Sequence, residues 1–160
     1  MNAGALQGNK RLDQRDVQDL NTCPELGLED GKYDAILVCF TIQYYKFPEL
    51  ILSQLVRAMK DDGIIIVSWD GSSFTSKAIR GWLDRDEQGR IGLVLRLLAA
   101  SGFITPQQHA AANSETSAQE QGAQSSLYIV SAKRRGPLKS ARDRWGFGRA
   151  RTQDVEALES

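Results

Sequence analysis

Two cysteines and one histidine are all that this 160-residue chain offers to thiolate or imidazole chemistry. Cys23 and Cys39 are too few for a disulfide framework or a zinc site. No apolar run approaches the roughly 18 residues that a membrane-spanning helix needs. The opening MNAGALQGNKRLDQRD lacks an apolar h-region and reads as neither a signal peptide nor a clear transit peptide. A reducing compartment, cytoplasmic by default, is the reading left. Neither sign of charge is in excess, since the formal net charge is zero, but the charges are unevenly spread. Residues 1–132 net −4 and residues 133–160 net +4.

What is present is a succession of apolar segments with changing period. Asp34–Cys39 (DAILVC) is a continuous apolar run, the pattern of a strand covered on both faces. Asp16–Asn21 before it is a weaker strand candidate running into a polar turn. Pro48 suits the first turn of a helix, and PELILSQLVRAMK puts Ile51, Leu52, Leu55, Val56 and Met59 on one stripe. Asp61-Asp62-Gly63 is turn chemistry, and Gly63–Trp69 (GIIIVSW) follows as a second buried strand. Helical character resumes over Thr75–Leu83, with Ile79 and Trp82 on one side. It returns in IGLVLRLLAASGF, where Ile91, Val94, Leu95 and Leu98 share a face and Gly102 stands at the C′ position.

Phe103–Thr105 can start a further strand, residues 111–126 form a polar tract without aromatics that reads as a mobile loop, and SLYIVSAKR closes the fold as a strand. Strands alternating with helices imply an α/β fold with a largely parallel sheet and helices on both faces.

The segment YDAILVCFTIQYYKFPELILSQLVRAMKDDGIIIVSW resembles the second half of a class I S-adenosylmethionine-dependent methyltransferase. In that superfamily a strand opening on an aromatic-Asp pair leads through a helix and a Leu-Lys-Pro-Gly-Gly turn to the next strand. Here the turn reads MKDDG and only Gly63 survives. With VQDLN upstream and SWDGSSFTSKAI and RIGLVLRLLAASGF downstream, residues 1–133 are similar to the methyltransferase type 11-like proteins. The resemblance implies a partial Rossmann-like fold lacking the superfamily's first two strands, with QDLN as the third strand and the last strand antiparallel. It also implies that Met1 is an internal methionine of a chain truncated at its N-terminal side, so that a plastid transit peptide can lie upstream.

The implied cofactor is S-adenosyl-L-methionine and the implied partner a small-molecule or lipid-like methyl acceptor. Asp19 matches the position that accepts from the adenine amino group, and the backbone of Leu20 lies alongside the ring. The strand tip Cys39, Phe40 and Thr41 matches the segment whose backbone receives the methionine amino group. Gln43, Tyr44, Tyr45 and Asp70 fall on the acceptor side. Methyl transfer from an activated sulfonium needs alignment and exclusion of water more than a catalytic constellation, so no catalytic residue is assigned.

Each position also has a plainer reading. Asp19 can be a turn-forming Asp, Cys39 a small core hydrophobe, and Tyr44 and Tyr45 packing aromatics. Asp70 can cap a helix, and Trp82 is core. His109 is not backed as a base. The basic tail 134–160, with Trp145 and Phe147 interleaved, reads first as a solvated disordered extension and second as a nucleic-acid contact. A truncated, non-enzymatic relic of the fold is the other alternative to an enzyme. In the sheet, Asp34–Cys39 is expected to pair in parallel with Ile64–Trp69, and the Tyr128 strand to pair with Ile64–Trp69 antiparallel.

Overall fold

A computed structural model describes residues 3–71, 74–113 and 126–136. The elements in chain order are α1 (Ala3–Gly8), β1 (Tyr33–Cys39), a 3-10 turn (Ile42–Tyr44), α2 (Pro48–Ala58), β2 (Met59–Asp70), α3 (Arg80–Leu83), α4 (Glu87–Ala100), β3 (Phe103–Asn113) and β4 (Ser126–Arg134). They build one four-stranded sheet in the order β1-β2-β4-β3. β1 pairs with β2 in parallel, with Ala35 opposite Ile64 and Cys39 opposite Ser68. β4 runs antiparallel between β2 and β3, with Val67 opposite Val130 and Trp69 opposite Tyr128. Both expected pairings are therefore present, and three of the four strands run the same way.

Alternation along the strands sets the core. Val38, Ile65, Val67, Trp69, Tyr128, Val130 and Ala132 are buried and share one sheet face. Ile51, Leu52 and Leu55 of α2 and Ile91, Val94 and Leu98 of α4 join them in a single cluster. Asp86 caps α4 by accepting from the Gly89 N–H at 2.8 Å. Gly102, at φ 98°, ends it as the C′ glycine anticipated from the sequence.

Several expectations change. Ala35–Cys39 of β1 is apolar throughout, yet only Val38 in it is buried, and Leu37 is 66% exposed. Among the described residues the buried helix side chains gather on one face of the sheet, so the apolar composition of β1 exceeds what that layer covers. Asp16–Asn21 is not a strand. Asp19 instead opens a turn, its carbonyl accepting from the N–H groups of Thr22 and Cys23 at 3.1 and 2.9 Å. The helix expected over Thr75–Leu83 shrinks to Arg80–Leu83, because Ile79 is extended and serves as N-cap.

The turn Asp61-Asp62-Gly63 lies inside β2 as an irregularity, the register stepping from Tyr33–Met59 to Ala35–Ile64. Asp62 takes φ 62° there. A Cβ on Gly63 would stand 2.8 Å from the Lys60 carbonyl oxygen and 3.2 Å from that of Asp34, so the close approach of the two strands requires glycine. Residues 111–113 belong to β3 and Ser126 to β4 rather than to a loop. The rest of the expected loop, residues 114–125, and the tail from residue 137 lie outside the described residues.

Candidate functional site

The C-terminal ends of β1 and β2 lie side by side. In open α/β sheets ligands gather at such strand ends. At this end β1 stops at Phe40, which takes φ 54°, a left-handed conformation that a bulky residue rarely holds without support. Its N–H donates to the Ser68 carbonyl of β2 at 2.8 Å, and its carbonyl accepts from the Gln43 side-chain amide at 3.3 Å. Cys39 is exposed and Thr41 half-buried. The chain then turns through Ile42–Tyr44, the Tyr44 N–H donating to the Thr41 carbonyl at 2.9 Å.

Three side chains fix this turn. Gln43 is 2% exposed. The Tyr44 hydroxyl accepts from the Phe74 N–H at 3.2 Å, and the Gln43 carbonyl accepts from the Ile79 N–H at 3.0 Å. The segment that follows β2 is thereby tied to the end of β1. The Tyr45 hydroxyl pairs with the Thr41 hydroxyl at 3.0 Å, and burial pushes its phenol above the ordinary value.

Asn21, which the sequence reading did not single out, brings the Asp19 turn to the same place. Its side chain donates to the Tyr44 carbonyl at 3.0 Å and accepts from the Lys46 N–H at 2.8 Å. The only signal for it in the sequence is an Asx residue in a polar turn. Asp19 itself is exposed, accepting from the Asn21 N–H and the Thr22 hydroxyl at 2.9 Å each. The Asn21 N–H, the Thr22 hydroxyl and Lys46 hold its carboxyl below the usual carboxylate value. The plainer reading of Asp19 as a turn former therefore holds. A carboxylate has about four lone-pair sites, so this anion can accept a further N–H. Leu20 is half-buried and lines a cleft of about 860 Å³ with Leu12, Leu26, Leu28 and Tyr33.

Asp70 closes β2 opposite Leu127 and is half-buried. It does not cap the next helix, which starts ten residues later with Ile79 as N-cap. The structure thus gathers Phe40, Thr41, Gln43, Tyr44 and Tyr45 around one turn, to which Asn21 ties the Asp19–Leu20 turn through Tyr44 and Lys46, while Asp70 ends the neighbouring strand. His109 lies apart on β3, its Nε2 2.7 Å from the Ser131 hydroxyl.

Residues 2–67 match the family model described as a methyltransferase domain. The fold matches the methyltransferase partner of a methyltransferase–activator complex from Haloferax volcanii, with a TM-score of 0.54 at 12% identity. That match covers 84% of this chain and 68% of the other. The chain has a partial Rossmann-like fold of the kind found in methyltransferases. A SAM-dependent methyltransferase from Thermotoga maritima is similar at a TM-score of 0.49 and 21% identity, covering 69% of this chain and 60% of that one. Phosphoethanolamine N-methyltransferase 2 from Haemonchus contortus, solved with S-adenosyl-L-methionine, scores 0.44 at 12% identity and covers 68% of this chain and 34% of its own. This chain therefore spans less than two thirds of the length of these last two proteins. Among curated proteins none matches the chain in sequence. No helix among the described residues is long and apolar enough to cross a membrane.

Proposed function

We propose that this methyltransferase fold binds S-adenosyl-L-methionine at the end of β1 and serves methyl transfer to a small-molecule or lipid-like acceptor. The observation that supports this reading is the staple made by Asn21, which ties the Asp19–Leu20 turn to Tyr44 and Lys46 at the end of the turn that follows β1. The residues fit the cofactor at two places. Asp19 is an exposed anion with acceptor capacity left for an adenine amino group. The backbone of Cys39–Thr41 is held at a fixed angle by its bonds to Ser68 and Gln43, ready for the methionine amino end. The cofactor supplies an already activated methyl group on a sulfonium. The protein's part is to orient that group and keep water away from it.

Tyr44, Tyr45 and Asp70 stand on the acceptor side in this reading. The hydroxyls of the two tyrosines are engaged with Phe74 and Thr41, so their rings rather than their hydroxyls are offered to an acceptor. Two contact regions alone support weak binding, with a dissociation constant on the order of 1 mM. Titration of the chain with S-adenosylhomocysteine, followed by amide chemical shifts, tests the proposal. Shifts confined to Asp19–Asn21 and Cys39–Thr41 are expected. No shift at either segment at ligand concentrations of about 10 mM would remove the cofactor assignment.

A further inference from the structure

The side chain of Gln43 is buried at the junction of β1, the turn that follows it and the segment leading to α3. Its amide nitrogen is 3.3 Å from the Phe40 carbonyl, and its oxygen Oε1 is buried without a hydrogen-bond partner among the described residues. A carbonyl can only accept, which fixes the amide's orientation: the nitrogen must face Phe40. Buried amide oxygens are rarely left unpaired, because desolvating one without a new bond is unfavourable. An apolar side chain of similar length would avoid that cost at this position. What only the amide provides here is the N–H donor, and the orphan oxygen comes with it.

The donor's target is the strained residue. Phe40 holds φ 54°, and such conformations persist where surrounding bonds over-determine them. Its N–H is held by Ser68 of β2 and its carbonyl by Gln43, so both polar groups of the strained unit are fixed. The Gln43 main-chain carbonyl in turn accepts from Ile79, the N-cap of α3. We infer that Gln43 is a positioning residue: through its side-chain N–H it holds the left-handed Phe40 backbone, and through its main chain it keeps the segment before α3 in register with that turn. The inference deepens the cofactor reading, on which it depends only for what the Phe40 turn holds.

Hydrogen exchange on the intact chain, with protection corrected for intrinsic rates, tests it at pH 5 and pH 8. The reporters are the amides of Phe40, Tyr44 and Ile79, with Ile65 and Val130 as references in the sheet interior. Gln43→Met keeps the length and removes the donor, so the reporters are expected to lose protection about tenfold or more at both pH values. Gln43→Glu has a proton to donate only when its carboxyl is neutral. Burial at this position pushes a carboxyl above its ordinary value, so its protection should approach wild type at pH 5 and fall at pH 8, while wild type stays level.

If both variants keep wild-type protection at the reporters, or if Gln43→Glu stays unprotected at pH 5, the donor role is wrong. Should Gln43→Met also lose protection at Ile65 and Val130, the pH response of Gln43→Glu decides alone. In a separate arm S-adenosylhomocysteine is added. Gln43→Met should bind it about tenfold more weakly than wild type, a shift of roughly 1.4 kcal/mol. Unchanged affinity in Gln43→Met would overturn the positioning role. A wild type that shows no ligand response overturns the cofactor assignment and leaves the exchange comparison to judge Gln43.

Discussion

The N–H of Phe74 donates to the hydroxyl of Tyr44 across 3.2 Å, joining the segment after β2 to the turn after β1. Phe74 is 71% exposed, so its own side chain contributes little to holding it there. Tyr44→Phe deletes the acceptor and keeps the ring. The expected cost is about 0.5–1 kcal/mol, at the low end for a hydrogen bond because the freed N–H can reach water. Faster proteolysis near Phe74, with the denaturation midpoint almost unmoved, is the expected pattern. A resistant segment in the variant would show that the ring packing, not the hydroxyl, anchors it.

Asn21 makes two bonds that no neighbour duplicates, one to the Tyr44 carbonyl and one from the Lys46 N–H. Asn21→Ala removes both and is expected to destabilise the chain by about 1–2 kcal/mol. Release of the Asp19 turn should appear as increased exchange over residues 19–23, with β2 and β4 unaffected. Urea denaturation with the exchange map checks both parts.

Asp19 has its carboxyl lowered in the folded chain, first by the Asn21 N–H, then by the Thr22 hydroxyl and Lys46. A depressed folded value means that the unfolded chain binds protons more readily than the folded one. The stabilisation is therefore complete above the ordinary value of 3.8 and is lost as pH falls through the lower folded value. Asp19→Asn keeps an acceptor for the Asn21 N–H but cannot titrate. The difference in stability between wild type and Asp19→Asn should shrink as pH is lowered from 6 toward about 3. A difference that stays constant over that range would mean Asp19 is as acidic folded as unfolded.

The strong elements are legible in the sequence because their pattern and their burial agree. GIIIVSW and SLYIVSAKR alternate buried and half-buried residues in register, and Ile91, Val94 and Leu98 face the same core. Reading fails where side chains override local pattern. The Asp16–Asn21 stretch has strand-like spacing, but Asp19 and Asn21 spend their polar groups on a turn and a staple. β1 reads as doubly covered because its residues are apolar on both faces, whereas coverage depends on neighbours that composition cannot reveal. At the candidate site, Tyr44 and Tyr45 are legible as positions. The left-handed Phe40 and the burial of Gln43 follow from tertiary contacts and carry no local signal.

Gly63 sits where β2 bends against β1, with space for no more than a hydrogen at Cα. Of the three nearest atoms, the Met59 methyl can move, but the carbonyl oxygens of Lys60 and Asp34 are backbone and cannot swing aside as a side chain would. Gly63→Ala should cost about 1–3 kcal/mol through the forced shift of the strand pair. Gly8→Ala, with no atom within 4 Å of the added carbon, is the matched control and should be neutral or slightly stabilising. Equal midpoints for the two variants in urea would show that the β2 irregularity is pliable.

Leu37 and Val38 are adjacent in β1 and point to opposite faces. Val38 is buried in the core cluster, while Leu37 is exposed on a strand that has no partner on its outer side among the described residues. An unpaired apolar edge is a template for pairing with another chain, and Ala35, Leu37 and Cys39 offer no charge to prevent it. Leu37→Lys places a guard there. The side chain leaves no cavity when replaced, so the folding free energy should change by no more than about 0.5–1 kcal/mol. Aggregation, followed by light scattering at raised concentration, should fall markedly. Val38→Lys puts the same charge on the other face, where it must be desolvated against Ile36 and Val67, and this variant should not fold. If Leu37→Lys aggregates as readily as wild type, the edge of β1 is not the contact through which chains associate. The open half of the sheet face, with Ile64, Ile66 and Ile129 half-buried, would then be the next surface to charge.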